Sequence, residues 1–153
     1  MSVVSDSATA RRRWRLALVL CAAGAGLALY AATRVWLVEV ISRPAPLPAL
    51  RETHTGGELL PWLPPLALVG LAGTGAVLAT LGVTRRLVGL LLSLIGLALA
   101  AGGGYGATLL DGESHLLWPV LCALGGLVAA GGGALTALRS RDWPSLGARY
   151  ERR

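Results

Sequence analysis

Reactive side chains are scarce in this 153-residue chain and fall almost wholly between its apolar stretches. Two histidines, His54 and His115, share the connecting segments with Glu39, Glu52, Glu58, Asp111 and Glu113. Imidazole nitrogens and carboxylates would ligate a divalent metal if those segments stacked. Their spacing matches no recognised ligand pattern, and solvated loop charge is the simpler account, so no metal ion is expected. Ser93 would need a His or Lys partner to act as a nucleophile, and neither type occurs inside an apolar stretch. No phosphate-cradling loop, nucleotide fingerprint or zinc signature is present. The reading is of a chain with no catalytic residue and no cofactor.

The elements that hold these groups follow from composition. Apolar residues make up 54% of the chain and charged residues 14%, against roughly 25% charge in an ordinary soluble domain. Mean hydropathy is +0.63. Four stretches, 16–32, 63–83, 87–110 and 116–138, hold no Asp, Glu, Lys, Arg or His. A bilayer core of about 30 Å takes roughly 20 apolar helical residues to cross. Hydrocarbon selects helices, because their backbone groups bond internally despite the many glycines. The expectation is an all-α integral membrane protein, an antiparallel bundle of four transmembrane helices over 16–138. A basic segment 1–15 precedes it, an Arg-rich tail 139–153 follows it, and outer loops span 33–62 and 111–115.

Arginine sets the orientation. Arg11, Arg12, Arg13 and Arg15 precede the first span, Arg85 and Arg86 fill the turn between the second and third, and Arg139, Arg141, Arg149, Arg152 and Arg153 follow the fourth. The other side carries only Arg34, Arg43 and Arg51, beside five acids. Positive loops stay inside, so both termini are expected in the cytoplasm of a cell with a multi-pass plasma-membrane protein. Trp14 and Trp143 mark inner ends of spans, and Trp36, Trp62 and Trp118 mark outer ends, where indoles favour the interface. The sequence pI of about 10.6 therefore points to anionic lipid headgroups at the Arg clusters, each Arg worth about 1 kcal/mol, and not to nucleic acid. A cleaved signal peptide is the rival reading of span one, but its removal would leave an odd number of spans and break the charge symmetry.

Membrane spans without ionisable groups argue against a proton-coupled pump, a voltage sensor or an intramembrane aspartyl protease. Thr74, Thr80, Ser93, Thr108 and Thr136 are expected to bond their own helix or a neighbour. Cys21 and Cys122 lie at about 1.5 Å per residue from opposite surfaces, too far apart for the roughly 7 Å a disulfide tolerates between Cα atoms. Small residues recur at i, i+4, i+7, i+11 as Gly89, Ser93, Gly96 and Ala100, as Gly126, Ala130, Gly133 and Ala137, and as Cys21, Ala25, Ala28 and Ala32. Such rows allow close backbone approach in lipid, within one bundle or, as the alternative, between copies of the chain. Gly-Leu-Ala-Leu recurs at 26–29 and 96–99, which leaves an internal duplication open. In the first outer loop, the run from Arg34 to Ile41 reads as a continuation of span one or an interfacial segment. A proline-rich stretch and the turn at Thr53-His-Thr-Gly-Gly57 follow, with too few residues for an independent core.

The basic start with Trp14, the segments Gly57-Glu-Leu-Leu-Pro-Trp62 and Arg85-Arg86-Leu-Val-Gly-Leu-Leu91, and above all the tail Trp143-Pro-Ser-Leu-Gly-Ala-Arg-Tyr-Glu-Arg152 resemble the tryptophan-operon-associated transmembrane protein family of high-GC Gram-positive bacteria. That resemblance implies four membrane helices and an association with tryptophan biosynthesis, and it supplies no catalytic residues. The resulting expectation is a non-enzymatic accessory or scaffold protein that meets a membrane-protein partner through its helix faces or through Trp143, Pro144, Arg149 and Tyr150 of the tail. The alternative is a carrier or oligomeric pore for an aromatic amino acid or a related neutral solute.

Overall fold

The structure is a computed structural model that describes residues 2–109 and 115–139, with side chains from Ser7 onward. Asp111, Glu113, Arg141, Trp143, Pro144, Arg149, Tyr150, Arg152 and Arg153 lie outside the described residues. Helix α1 runs Ser2–Ala32, strands β1 and β2 are Val35–Ile41 and Leu50–Thr55, and α2 is the single turn Gly56–Leu59. Helices α3 (Leu63–Ala79), α4 (Gly82–Thr108) and α5 (Leu117–Arg139) complete the described chain. Among the described residues, three helical segments are long and apolar enough to cross a membrane: Ser7–Ala32, Gly82–Thr108 and Leu117–Arg139. At 17 residues, α3 is about 25 Å long. The chain is mostly helical, consistent with an all-α membrane protein, and inserts the short β1–β2 hairpin between α1 and α2.

The apolar helices bury the faces turned to their neighbours and leave leucines on the outer side, as helices do when their surroundings are also apolar. On α3 the buried stripe is Leu63, Ala67, Gly70, Thr74 and Val77, one helical face at i, i+4, i+7, i+11 and i+14. Outside it, Leu68 and Val69 are exposed, as are Leu90, Leu94 and Leu97 on α4. Helix α5 packs against both α4 and α1, and α3 closes the far side against α1 and α4. The four long helices run alternately up and down.

The α4–α5 contact is made backbone to backbone. A Cβ at Gly89 would lie 2.7 Å from the Ala137 nitrogen and 2.9 Å from the Gly133 oxygen. Seven residues on, Gly96 faces Gly126 and Ala130 in the same way, and Gly103 faces Pro119 and Ala123. The reciprocal views from α5 set Gly126 on Gly96 and Ala100, and Gly133 on Gly89 and Ser93. A seven-residue recurrence keeps one seam in register along two helices wound left-handedly about each other. The α1–α5 seam uses the neighbouring positions: Gly125 meets Gly24 and Ala28, and Gly132 meets Ala17 and Cys21. Helix α3 is held more loosely by side chains, with Gly70 against Ala25 and Ile95 and Gly73 against Leu92. Gly26 has open space where its counterpart in the recurring Gly-Leu-Ala-Leu, Gly96, abuts α5, so the two copies serve different contacts.

The connection between α3 and α4 also differs from expectation. Thr80 and Leu81 are the only residues between the helices, and Gly82 opens α4 at φ +58, a left-handed conformation that glycine adopts without a side-chain penalty. Arg85 and Arg86 therefore sit in the first turn of α4 and not in the link. Helix α1 extends fourteen residues further toward its N-terminus than the 16–32 span read from hydropathy, because a charged segment remains a good helix former once it leaves the apolar region.

Replacing Gly96 by Leu forces a side chain into the α5 backbone, and overpacking of this kind costs about 1–3 kcal/mol or more. Detergent-solubilised Gly96→Leu is expected to unfold at clearly lower temperature or denaturant. Gly104→Ala, where nothing lies within 4 Å of the new methyl, is expected to stay within about 0.5 kcal/mol of the parent.

Candidate functional site

Polar and charged groups collect at the two ends of the bundle. At one end the hairpin docks through Trp36, which is fully buried. The ladder pairs Val35 with Thr55 and Leu37 with His54, so the register shifts between them and Trp36 has no cross-strand partner. A bulge of this type re-aims one side chain. Here it turns the indole back under α1, where Nε1 donates to the Ala31 carbonyl at 2.8 Å. The ring is clamped between Gly56 of α2 and Gly106 of α4, where added Cβ atoms would fall 2.6 Å from Cζ2 and 2.9 Å from Cε3. The Trp36 carbonyl accepts from the His115 backbone at 3.3 Å, and the Gly56 N–H donates to Arg34 at 3.1 Å. A two-stranded hairpin is marginal alone, and this indole ties it to α1, α2 and α4. The outer-interface role expected for Trp36 is therefore corrected, while Trp62 is exposed and Trp118 half-buried.

Residues named as possible metal ligands do not converge. Cross-strand pairing sets Glu39 opposite Glu52, and His54 Nε2 lies 3.9 Å from Glu39 Oε2 on the same hairpin face. Glu58 is committed elsewhere: its carboxylate accepts from the Thr55 N–H at 2.8 Å while its own N–H donates to Thr55 Oγ1. This capping box starts α2. Among the described residues no group of three His, Cys, Asp or Glu is placed to hold a metal ion. Next to the hairpin, the Arg34 guanidinium donates to the Tyr30 hydroxyl and lies 5.6 Å from the Trp118 ring, which meets Tyr30 edge-on.

At the opposite end, Arg85 Nε donates to the Thr80 carbonyl at 2.8 Å and Arg86 Nε to the Ala137 carbonyl at 3.1 Å. Two cations in the first turn of a helix oppose its dipole. They are accommodated because α3 and α5 both end here, and each Arg caps carbonyls that no intrahelical donor reaches. Arg85 is buried in doing so. Arg11, Arg12, Arg13 and Arg15 are exposed at this same end on α1, whose buried residues begin at Ala17.

Three of the expected hydroxyls bond within their own helices: Thr74 to Gly70, Thr80 to Ala76 and Thr136 to Gly132, at 3.1, 2.8 and 3.0 Å. Cys21 and Cys122 are buried free thiols in separate clusters. The eight small residues from Gly89 to Ala100 and from Gly126 to Ala137 meet one another across the α4–α5 seam.

Sequence reading missed the hairpin, the indole and the arginine caps. The hairpin had a local signal, since the β-branched run Val35–Ile41 and the Leu50–Thr55 segment flank a proline-rich turn. The clamp and the Arg86 cap had none, because Gly56 and Gly106 lie 20 and 70 residues from Trp36 and Ala137 lies 51 from Arg86.

Residues 18–153 match the family described as tryptophan-associated transmembrane protein. No curated protein matches the chain. No solved structure matches it.

Removing the indole by Trp36→Ala is expected to cost about 3–5 kcal/mol of local stability. Limited proteolysis should then show faster tryptic cleavage after Arg51 with α4 and α5 still protected.

Proposed function

The chain belongs to the tryptophan-associated transmembrane protein family, and from that premise we propose that it is a non-enzymatic accessory protein of the bacterial plasma membrane. The observation that carries this reading is the closed interior. Helices α4 and α5 touch along their backbones, and the buried hydroxyls of Thr74 and Thr136 are already bonded to their own helices. Such an interior favours a scaffold over a site that binds or passes solute, and it leaves the two polar ends to meet partners. The reading associates the protein with tryptophan biosynthesis through the family's description alone.

Four crossings with both termini cytoplasmic complete the proposal. Helix α3 connects the hairpin end of α1 to the arginine end of α4, so it traverses whatever layer its neighbours traverse. Its 17 residues sit at the lower limit for a span. The arginine asymmetry supports placing the Arg85 end inside and the hairpin outside. The tail residues Trp143, Pro144, Arg149 and Tyr150 are the proposed partner-binding segment.

In a background lacking Cys21 and Cys122, a cysteine at position 54 is expected to react with an impermeant maleimide in intact cells, and one at 141 only after permeabilisation. The opposite pattern would reverse the orientation. Crosslinking in native membranes should capture a partner that is lost on deleting 143–153, with membrane insertion retained. Radiolabelled tryptophan flux is expected to be the same in deletion, parent and overexpressing cells; a flux that tracks expression would replace the scaffold with a carrier.

A further inference from the structure

The basic end of α1 is more organised than a charge run needs to be. A hollow of about 440 Å³ lies along one face of this helix, lined by Ala8, Arg11, Arg12, Arg15, Leu16 and Val19. These positions follow helical spacing, so they form one stripe, and Arg13 at i+2 from Arg11 points away from it. Order along the stripe is polar to apolar. The three guanidinium groups come first, and Leu16 and Val19, 48% and 62% exposed, continue it toward the bundle. Among the described residues no carboxylate lies within 4 Å of any of the three arginines, the one ion pair being His54 with Glu39. Arg85 and Arg86 at the same end are by contrast already bonded to carbonyls.

We infer that this face of α1 is a seat for one anionic glycerophospholipid, its phosphate held by Arg11, Arg12 and Arg15 and an acyl chain laid along Leu16 and Val19. Charge complementarity selects the headgroup, because guanidinium forks bind phosphate oxygens bidentately. The apolar continuation selects a lipid over a soluble phosphate, since hydrocarbon is what covers exposed Leu and Val at a membrane boundary. The inference deepens the proposed function and rests on it for the choice of leaflet alone, the inner one. Lipid selectivity measured in micelles does not depend on orientation, so failure of the seat and reversal of the topology are separate results.

The test uses the full-length protein in a neutral detergent, with retention of phosphatidylglycerol and of chain-matched phosphatidylcholine read by native mass spectrometry. One variant combines Arg11→Gln, Arg12→Gln and Arg15→Gln. A charge-matched control combines Arg13→Gln, Arg43→Gln and Arg51→Gln, all at exposed positions. At about fivefold per arginine, the first variant is expected to lose at least about tenfold of the preference for phosphatidylglycerol, while the control stays within about twofold of the parent. Glycerol phosphate, which has the charge without the chains, is expected not to displace the lipid. An equal loss in both variants reduces the effect to net charge and overturns the seat. So does a parent with no preference, or displacement by glycerol phosphate at a concentration equal to that of the lipid.

Discussion

Helices in hydrocarbon gain nothing from hiding apolar surface, because lipid is as apolar as leucine; what holds them is the closeness of their atoms. Helix α5 meets that constraint twice. Gly125–Gly126 and Gly132–Gly133 are adjacent pairs seven residues apart, and successive residues on a helix point about 100° apart. One glycine of each pair faces α1 and the other faces α4. The same two turns thus let two neighbours approach until backbone meets backbone. Helix α3, which lacks such a seam, is attached by side chains and completes the ring without controlling it.

The ends of the bundle answer a different requirement. Terminal backbone groups of helices have no internal partners, and near the bilayer they need them. At the arginine end, Arg85 and Arg86 supply donors to the last carbonyls of α3 and α5. At the other end, the Trp36 indole supplies a donor to Ala31 near the close of α1 and fills the space that Gly56 and Gly106 leave open. Each end uses an extended side chain from one element to stop another. The hairpin is then less an appendage than a plug attached to the bundle by its indole.

This division shapes the functional reading. Between the ends, the Thr74 and Thr136 hydroxyls are taken up by their own helices; beyond them, the arginines of α1 are exposed and the hairpin presents the His54–Glu39 pair. Among the described residues, charged side chains therefore gather at the two ends of the bundle.

What the sequence alone determined is local and periodic. Uncharged runs long enough for lipid, small residues at Gly89, Gly96, Gly126 and Gly133, and arginines concentrated beside certain spans can be read from spacing, because hydropathy and helical period act over one or two turns. Tertiary structure decided which small row faces which, that α5 and not α3 is the shared partner, and where the second link ends. It alone turned Trp36 from an interface anchor into a buried clamp. Those outcomes depend on atoms far apart in the chain: the clamp needs Ala31, Gly56 and Gly106 together, and Arg86 needs Ala137. No local pattern encodes such distances, since a glycine that yields to an indole and one that faces lipid are the same letter until the helices have packed.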